Sequence, residues 1–140
     1  CMAWSDLRKQ LLTNVLGVTG ELCVVPIWPV FADKIYCGIK RFEFRKRIPR
    51  LGVATFLIYE TAPISAITGC FIAGDVVTDA PENLWAATDE YAGISEQDFF
   101  GYYASCKIGV AISIRSVQRF ESPIFLVRFG CNPPQSYVYI

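Results

Sequence analysis

The chain has 140 residues, about one domain, and a domain of that size holds a core without metal or disulfide staples. With 53% apolar and 19% charged residues it is not a disordered chain, and a formal net charge of zero argues against a binder that works through a broad cationic field. Histidine is absent, which removes the usual Cys/His zinc sites and the His-dependent nucleophile systems, and no glycine-rich phosphate loop is present.

In chain order, Ser5 reads as an N-cap and Leu7, Leu11, Leu12, Val15 and Leu16 recur at helical spacing, with Gly17 and Gly20 ending the helix. Residues 1–20 are therefore expected to form a helical extension and 21–140 the main domain. Leu22–Ile27 reads as a strand whose end Pro26 demotes to an edge or bulge. Pro29 opens a short helix that Gly38 closes. Ile39–Arg47 alternates, with Phe42 and Phe44 on one side and Arg41, Glu43, Arg45 and Arg47 on the other. Val53–Glu60 and Ile67–Val77 are expected strands, broken by Ala62-Pro63. Pro81–Thr88 and Ser95–Ala104 are expected helices, the second capped by Ser95. Lys107–Phe120, Ile124–Phe129 and Tyr137–Ile140 complete about six strands with short helices between them. That pattern suits a small α+β barrel better than alternating βαβ units.

The six cysteines form no CxxC pair, and several lie inside apolar runs, where free thiols are common. A reducing compartment, the cytoplasm, is expected, with no metal and no cofactor. No apolar run is long enough for a membrane helix, and no secretory-signal pattern opens the chain.

The informative stretch is Lys34–Arg50. Seven of the chain's 13 lysines and arginines lie there: Lys34, Lys40, Arg41, Arg45, Lys46, Arg47 and Arg50. Such a cluster supplies a phosphate-binding surface even on a neutral chain. The bland alternative is a solvated face balanced by the acids between Asp79 and Asp98. Within the cluster, Gly38-Ile39-Lys40-Arg41-Phe42-Glu43-Phe44-Arg45 spells G-x-K-x-x-E-x-R. This resembles the signature of the ASCH domain, a member of the PUA-like superfamily. Tyr59-Glu60-Thr61-Ala62-Pro63 with Ala66-Ile67-Thr68-Gly69, and Pro133-Pro134-Gln135-Ser136-Tyr137, resemble further stretches of a bacterial and phage branch, so the likeness runs from Leu22 to Ile140.

The resemblance implies a small PUA-like β-barrel with flanking short helices and a cleft beside the motif that binds RNA or other single-stranded nucleic acid, or a modified nucleotide. Lys40, Arg41, Arg45 and Arg47 are then expected on phosphate, Glu43 in the cleft, and Trp28, Tyr59 and Thr61 on its walls. Ser136 enters by the likeness alone. Each has a structural alternative: Trp28 in the core, Thr61 capping its turn, Glu43 and Arg45 paired with each other. Tyr102, Tyr103 and Phe99 read as core. Some small members of the family hydrolyse the acetyl amide of acetylated cytidine with the lysine that matches Lys40, a threonine and a glutamate. Here Glu43 stands where that threonine would be, and Glu96 is the candidate for the glutamate. A metal-free amidohydrolase using Lys40 and Glu43 is thus a second reading, and a protein-interaction module a third.

Overall fold

The structure, a computed structural model, describes residues 2–18 and 20–140. Helix α1 spans Met2–Gln10 and continues as a π-helical stretch, Leu11–Leu16, which Gly17 ends in a left-handed conformation (φ 65°). The helix starts ahead of Ser5, so that residue lies inside it and is not its cap. There follow β1 (Leu22–Ile27), α2 (Pro29–Tyr36), β2 (Phe42–Arg45), β3 (Thr55–Glu60), β4 (Ala66–Asp79), α3 (Pro81–Thr88), α4 (Glu96–Tyr102), β5 (Gly109–Phe125) and β6 (Val138–Tyr139).

One expected boundary fails. Lys107–Phe120 and Ile124–Phe129 are not two strands: β5 runs unbroken to Phe125, and Leu126–Phe129 turn as a 3-10 helix. The register of β5 on β4 jumps from Gly69 opposite Arg119 to Ile67 opposite Ile124. Phe120–Pro123 fall inside that bulge, where a proline needs no ladder hydrogen bond, so Pro123 does not break the strand.

The six strands lie in the order β2-β5-β4-β3-β1-β6, with β1 and β3 parallel and every other pair antiparallel. The sheet curls into a half-barrel, the small α+β PUA-like fold expected, but its edges β2 and β6 do not pair. Side chains bridge the seam instead. Tyr139 Oη accepts from the Arg50 backbone N–H at 2.8 Å, Tyr137 Oη donates to the Arg47 carbonyl at 3.0 Å, and Arg45 donates to the Pro26 carbonyl at 3.1 Å. Strand β6 covers only Cys23 and Val24 of β1, so Pro26 lies where that strand's side is open.

Strands β1 and β3 are buried on both faces, which is why they read as continuous apolar runs. Leu22, Val24, Leu57 and Tyr59 face Leu7 and Leu11 of the N-terminal helix, both fully buried. Cys23, Val25, Phe56 and Ile58 face Ala32 and Ile35 of α2. A third cluster packs Leu84, Phe99 and Tyr103 of the α3–α4 insertion on Phe44 and Ala111. Cys23, Cys37, Cys70, Cys106 and Cys131 are free thiols. Among the described residues no helix is long and apolar enough to cross a membrane.

Candidate functional site

The motif is built at the join of α2 and β2. Gly38 (φ 83°) takes the left-handed turn that ends α2, and the Lys40 N–H folds back onto the Lys34 carbonyl at 3.0 Å. This sends the Lys40 side chain inward, where it is 3% exposed. Its ammonium donates to the Ala92 carbonyl at 2.7 Å and stands 5.2 Å and 4.7 Å from the ring centres of Phe31 and Phe44. Gly93 lies flat on the lysine's stem. A Cβ there would meet Lys40 Cβ and would sit 2.6 Å from Cγ and 3.0 Å from Cδ, so only glycine allows this approach. The same turn is tied down twice more, by Lys34 Nζ on the Gly93 carbonyl (3.2 Å) and by the Arg41 N–H on the Tyr91 carbonyl (2.8 Å).

Glu43 follows one strand turn later and is also buried. Its Oε1 accepts from the Phe44 N–H at 3.2 Å, while Oε2 is buried with no hydrogen-bond partner among the described residues. Burial raises its pKa, against the charges of Lys40 and Arg45, which lower it. Burial also drives Lys40 down to about 8, with the Glu43 charge acting the other way and Lys34 adding to the fall. Neither residue is within ion-pair distance of an opposite charge: among the described residues the one such pair is Arg50–Glu21 at 2.6 Å, on the surface. Two ionisable groups are therefore desolvated without an ion-pair partner, a setting that perturbs pKa values and is common at functional sites.

Both open into one cleft of about 440 Å³. Trp28 forms its rim, 65% exposed and stacked on Phe31 at 5.9 Å. Arg45 also lines it, its guanidinium 5.4 Å from the Tyr137 ring. The cleft thus brings together Trp28, Lys40, Glu43 and Arg45 of the residues expected from sequence. Trp28 is at the rim and not in the core, and Glu43 and Arg45 do not pair.

Others lie elsewhere. Tyr59 is 2% exposed in the core beneath α1, because β3 is buried on both faces, so it does not line the cleft. Thr61 belongs to the turn after β3 and is not in the lining either. Ser136 is exposed, and it is its neighbour Tyr137 that reaches the site. Arg41 and Arg47 are exposed outside the cleft, Arg41 laid on the Tyr91 ring at 4.2 Å. Lys46 and Arg50 lie on Tyr102 and Tyr139 in the same way. The basic cluster is thus a set of cations seated on aromatic faces rather than a flat charged patch.

The insertion supplies what the sequence reading missed: Ile94, Asp98 and Tyr102 line the cleft. Tyr102 is exposed at its edge and not in the core. Asp98, not Glu96, is the carboxylate that α4 contributes. The Ser95 cap, whose Oγ accepts from the Asp98 N–H at 3.1 Å, was the only local signal fixing that residue's place.

No family model matches the sequence. A protein of Zymomonas mobilis named "ASCH domain-containing ribonuclease" is 32% identical over 123 residues, covering 84% of this chain and 82% of its own length. The chain belongs to the ASCH domain family. The crystal structure of the Zymomonas mobilis ASCH protein superposes with a TM-score of 0.78 at 30% identity, covering 85% of this chain and 87% of the other. Two structures of its single-substitution variants give 0.77 and 0.78. This ASCH domain therefore shares most of its fold with a solved relative.

Proposed function

We propose that this ASCH domain binds single-stranded RNA across the cleft and cuts it. The observation that carries the reading is that Lys40 and Glu43, both buried and without an ion-pair partner, line one open cleft together with Trp28 and Arg45. A nucleobase stacks on Trp28, and Arg45 takes the phosphate, with Arg41 and Arg47 on the strand beyond. The ribonuclease name of a relative supports RNA as the substrate.

The chemistry balances within the chain's own residues. Glu43, made more basic by burial, takes the proton of the ribose 2′-hydroxyl. The 2′-oxygen attacks the adjacent phosphorus, and the bond from phosphorus to the 5′-oxygen breaks. Lys40, charged in most molecules at neutral pH with its pKa near 8, stabilises the phosphorus oxyanion and gives its proton to the leaving 5′-oxygen. The products are a 2′,3′-cyclic phosphate and a 5′-hydroxyl. The free thiols suit a reducing, cytoplasmic setting.

One other reading has a specific observation behind it. Burial of Lys40, which drives its pKa down to about 8, favours the neutral amine that activates attack on the amide of an acylated nucleoside such as acetylated cytidine.

Short fluorescent oligonucleotides of RNA, of DNA and of 2′-O-methyl RNA test the proposal. RNA should be cut to cyclic-phosphate ends, the other two bound and left intact, and binding should weaken as salt rises. Lys40→Ala and Glu43→Ala should abolish cutting without unfolding the protein. Deacetylation of acetylated cytidine with intact RNA would install the amidohydrolase instead. Absence of any binding at low salt would end the nucleic-acid reading and leave a protein partner.

A further inference from the structure

Pro29 and Asp33, one turn apart on α2, border a second cleft of about 370 Å³ that RNA binding does not use. Its charge is opposite to that of an RNA site: Asp33, Glu60 and Glu121 line it against the single cation Arg119. A phosphate chain is repelled there.

Glu60 is the decisive residue. It ends β3, is 3% exposed, and its carboxylate accepts no hydrogen bond from any described residue. Buried carboxylates are ordinarily paired, because removing one from water is expensive. Among the described residues only Glu43 Oε2 is fully buried without a partner, so the Glu60 carboxylate still reaches solvent at the cleft it lines, where an incoming cation with N–H donors can meet it. Arg119 does not fill the role: its guanidinium lies 4.7 Å over the Tyr36 ring, whose hydroxyl shares a 2.7 Å hydrogen bond with Thr68 in the cleft wall.

A metal ion does not fit, since among the described residues no three Asp, Glu or Cys converge to hold one. An organic cation does. The floor asks for paired donors, and Ile64 and Phe120 make the walls apolar. A guanidinium meets both demands better than an ammonium, being planar, less strongly hydrated and able to donate two parallel bonds to one carboxylate. The cleft is within the size range of ligand sites, about 300–1,000 Å³.

We propose that this cleft is a receptor for a guanidinium on an apolar stem, with Glu60 its acceptor and Asp33 and Glu121 steering at the mouth. The group comes either from a free guanidino compound or from an arginine of a partner protein, and the probes separate these sources. Calorimetric titration with agmatine, with N-acetyl-arginine methylamide and with a short arginine-centred peptide is compared with the matching lysine peptide. Saturable binding is expected, at least tenfold weaker for lysine. It should fall at least tenfold in Glu60→Gln and stay unchanged in Lys40→Ala. A preference for agmatine identifies the small molecule, and a preference for the peptide identifies the protein arginine. If Glu60→Gln fails to fold, the exposed double substitution Asp33→Asn with Glu121→Gln should still weaken binding several-fold. No saturable binding of any probe at millimolar concentration, or binding indifferent to these carboxylates, overturns the proposal. RNA cutting should persist in Glu60→Gln, so the two sites fail or succeed separately.

Discussion

Burial of Lys40 sets up a measurable conflict between stability and function. Its pKa lies near 8 instead of 10.5, so holding the charged form in the fold costs about 3 kcal/mol, at about 1.4 kcal/mol per unit. The sign follows from proton counting. Below about pH 8 the lysine is charged in both states and the cost is felt in full. Between about 8 and 10.5 the unfolded chain holds the proton and the folded chain does not, so stability rises with pH. Lys40→Met removes both the cost and the titration. It also loses the bond to the Ala92 carbonyl, worth about 1.5–3 kcal/mol for a charged donor, so at pH 7 the variant should be at least as stable as wild type while losing RNA cutting. Urea unfolding of the two proteins from roughly pH 7 to 10.5 gives a difference in which groups common to both cancel. Wild type should gain about 3 kcal/mol on the variant across that range. In a Glu43→Gln background the gain should begin at lower pH, because that carboxylate holds the lysine's proton on. Parallel curves would refute the claim that Lys40 is a desolvated ammonium.

Three further outcomes are expected. Gly93→Ala places a methyl on the Lys40 stem at a φ of 67°, and should cost about 2 kcal/mol in urea while shifting the pH profile of RNA cutting; a profile that stays put would mean the glycine does not position the lysine. Trp28→Ala should weaken RNA binding by about 1–3 kcal/mol, measured by fluorescence titration, with the unfolding midpoint unmoved because the ring is exposed. Ser95→Ala should cost about 1 kcal/mol of stability through loss of the α4 cap, read as a lower urea midpoint.

The sequence carried the elements well where local rules dominate. Pro29 and Gly38 bracket α2, Ser95 caps α4, and the doubly apolar β1 and β3 turned out to be the buried pair. The motif's spacing placed Lys40, Glu43 and Arg45 on one cleft, because a glycine turn followed by a strand fixes their directions within a few residues. Non-local features were not legible. Pro123 reads as a break until the bulge opposite β4 is known. Tyr59 reads as a wall until α1 is seen covering its face, and Tyr102 reads as core until the insertion folds over β2. The depth of Lys40 is the clearest case: the nearby rings of Phe31 and Phe44 cover only part of it, and Ala92 and Gly93 close over it from some fifty residues away.

The seam of the half-barrel also bears on what the motif needs from the rest of the fold. The Arg47 carbonyl is met by a tyrosine hydroxyl 90 residues further along, and the same Tyr137 ring lies beneath Arg45. A chain cut before Tyr137 would keep the entire basic motif yet lack the ring on which Arg45 is seated. The motif's own residues are thus not enough to build the cleft: Tyr137, just before β6, completes it by seating Arg45 and holding the Arg47 carbonyl.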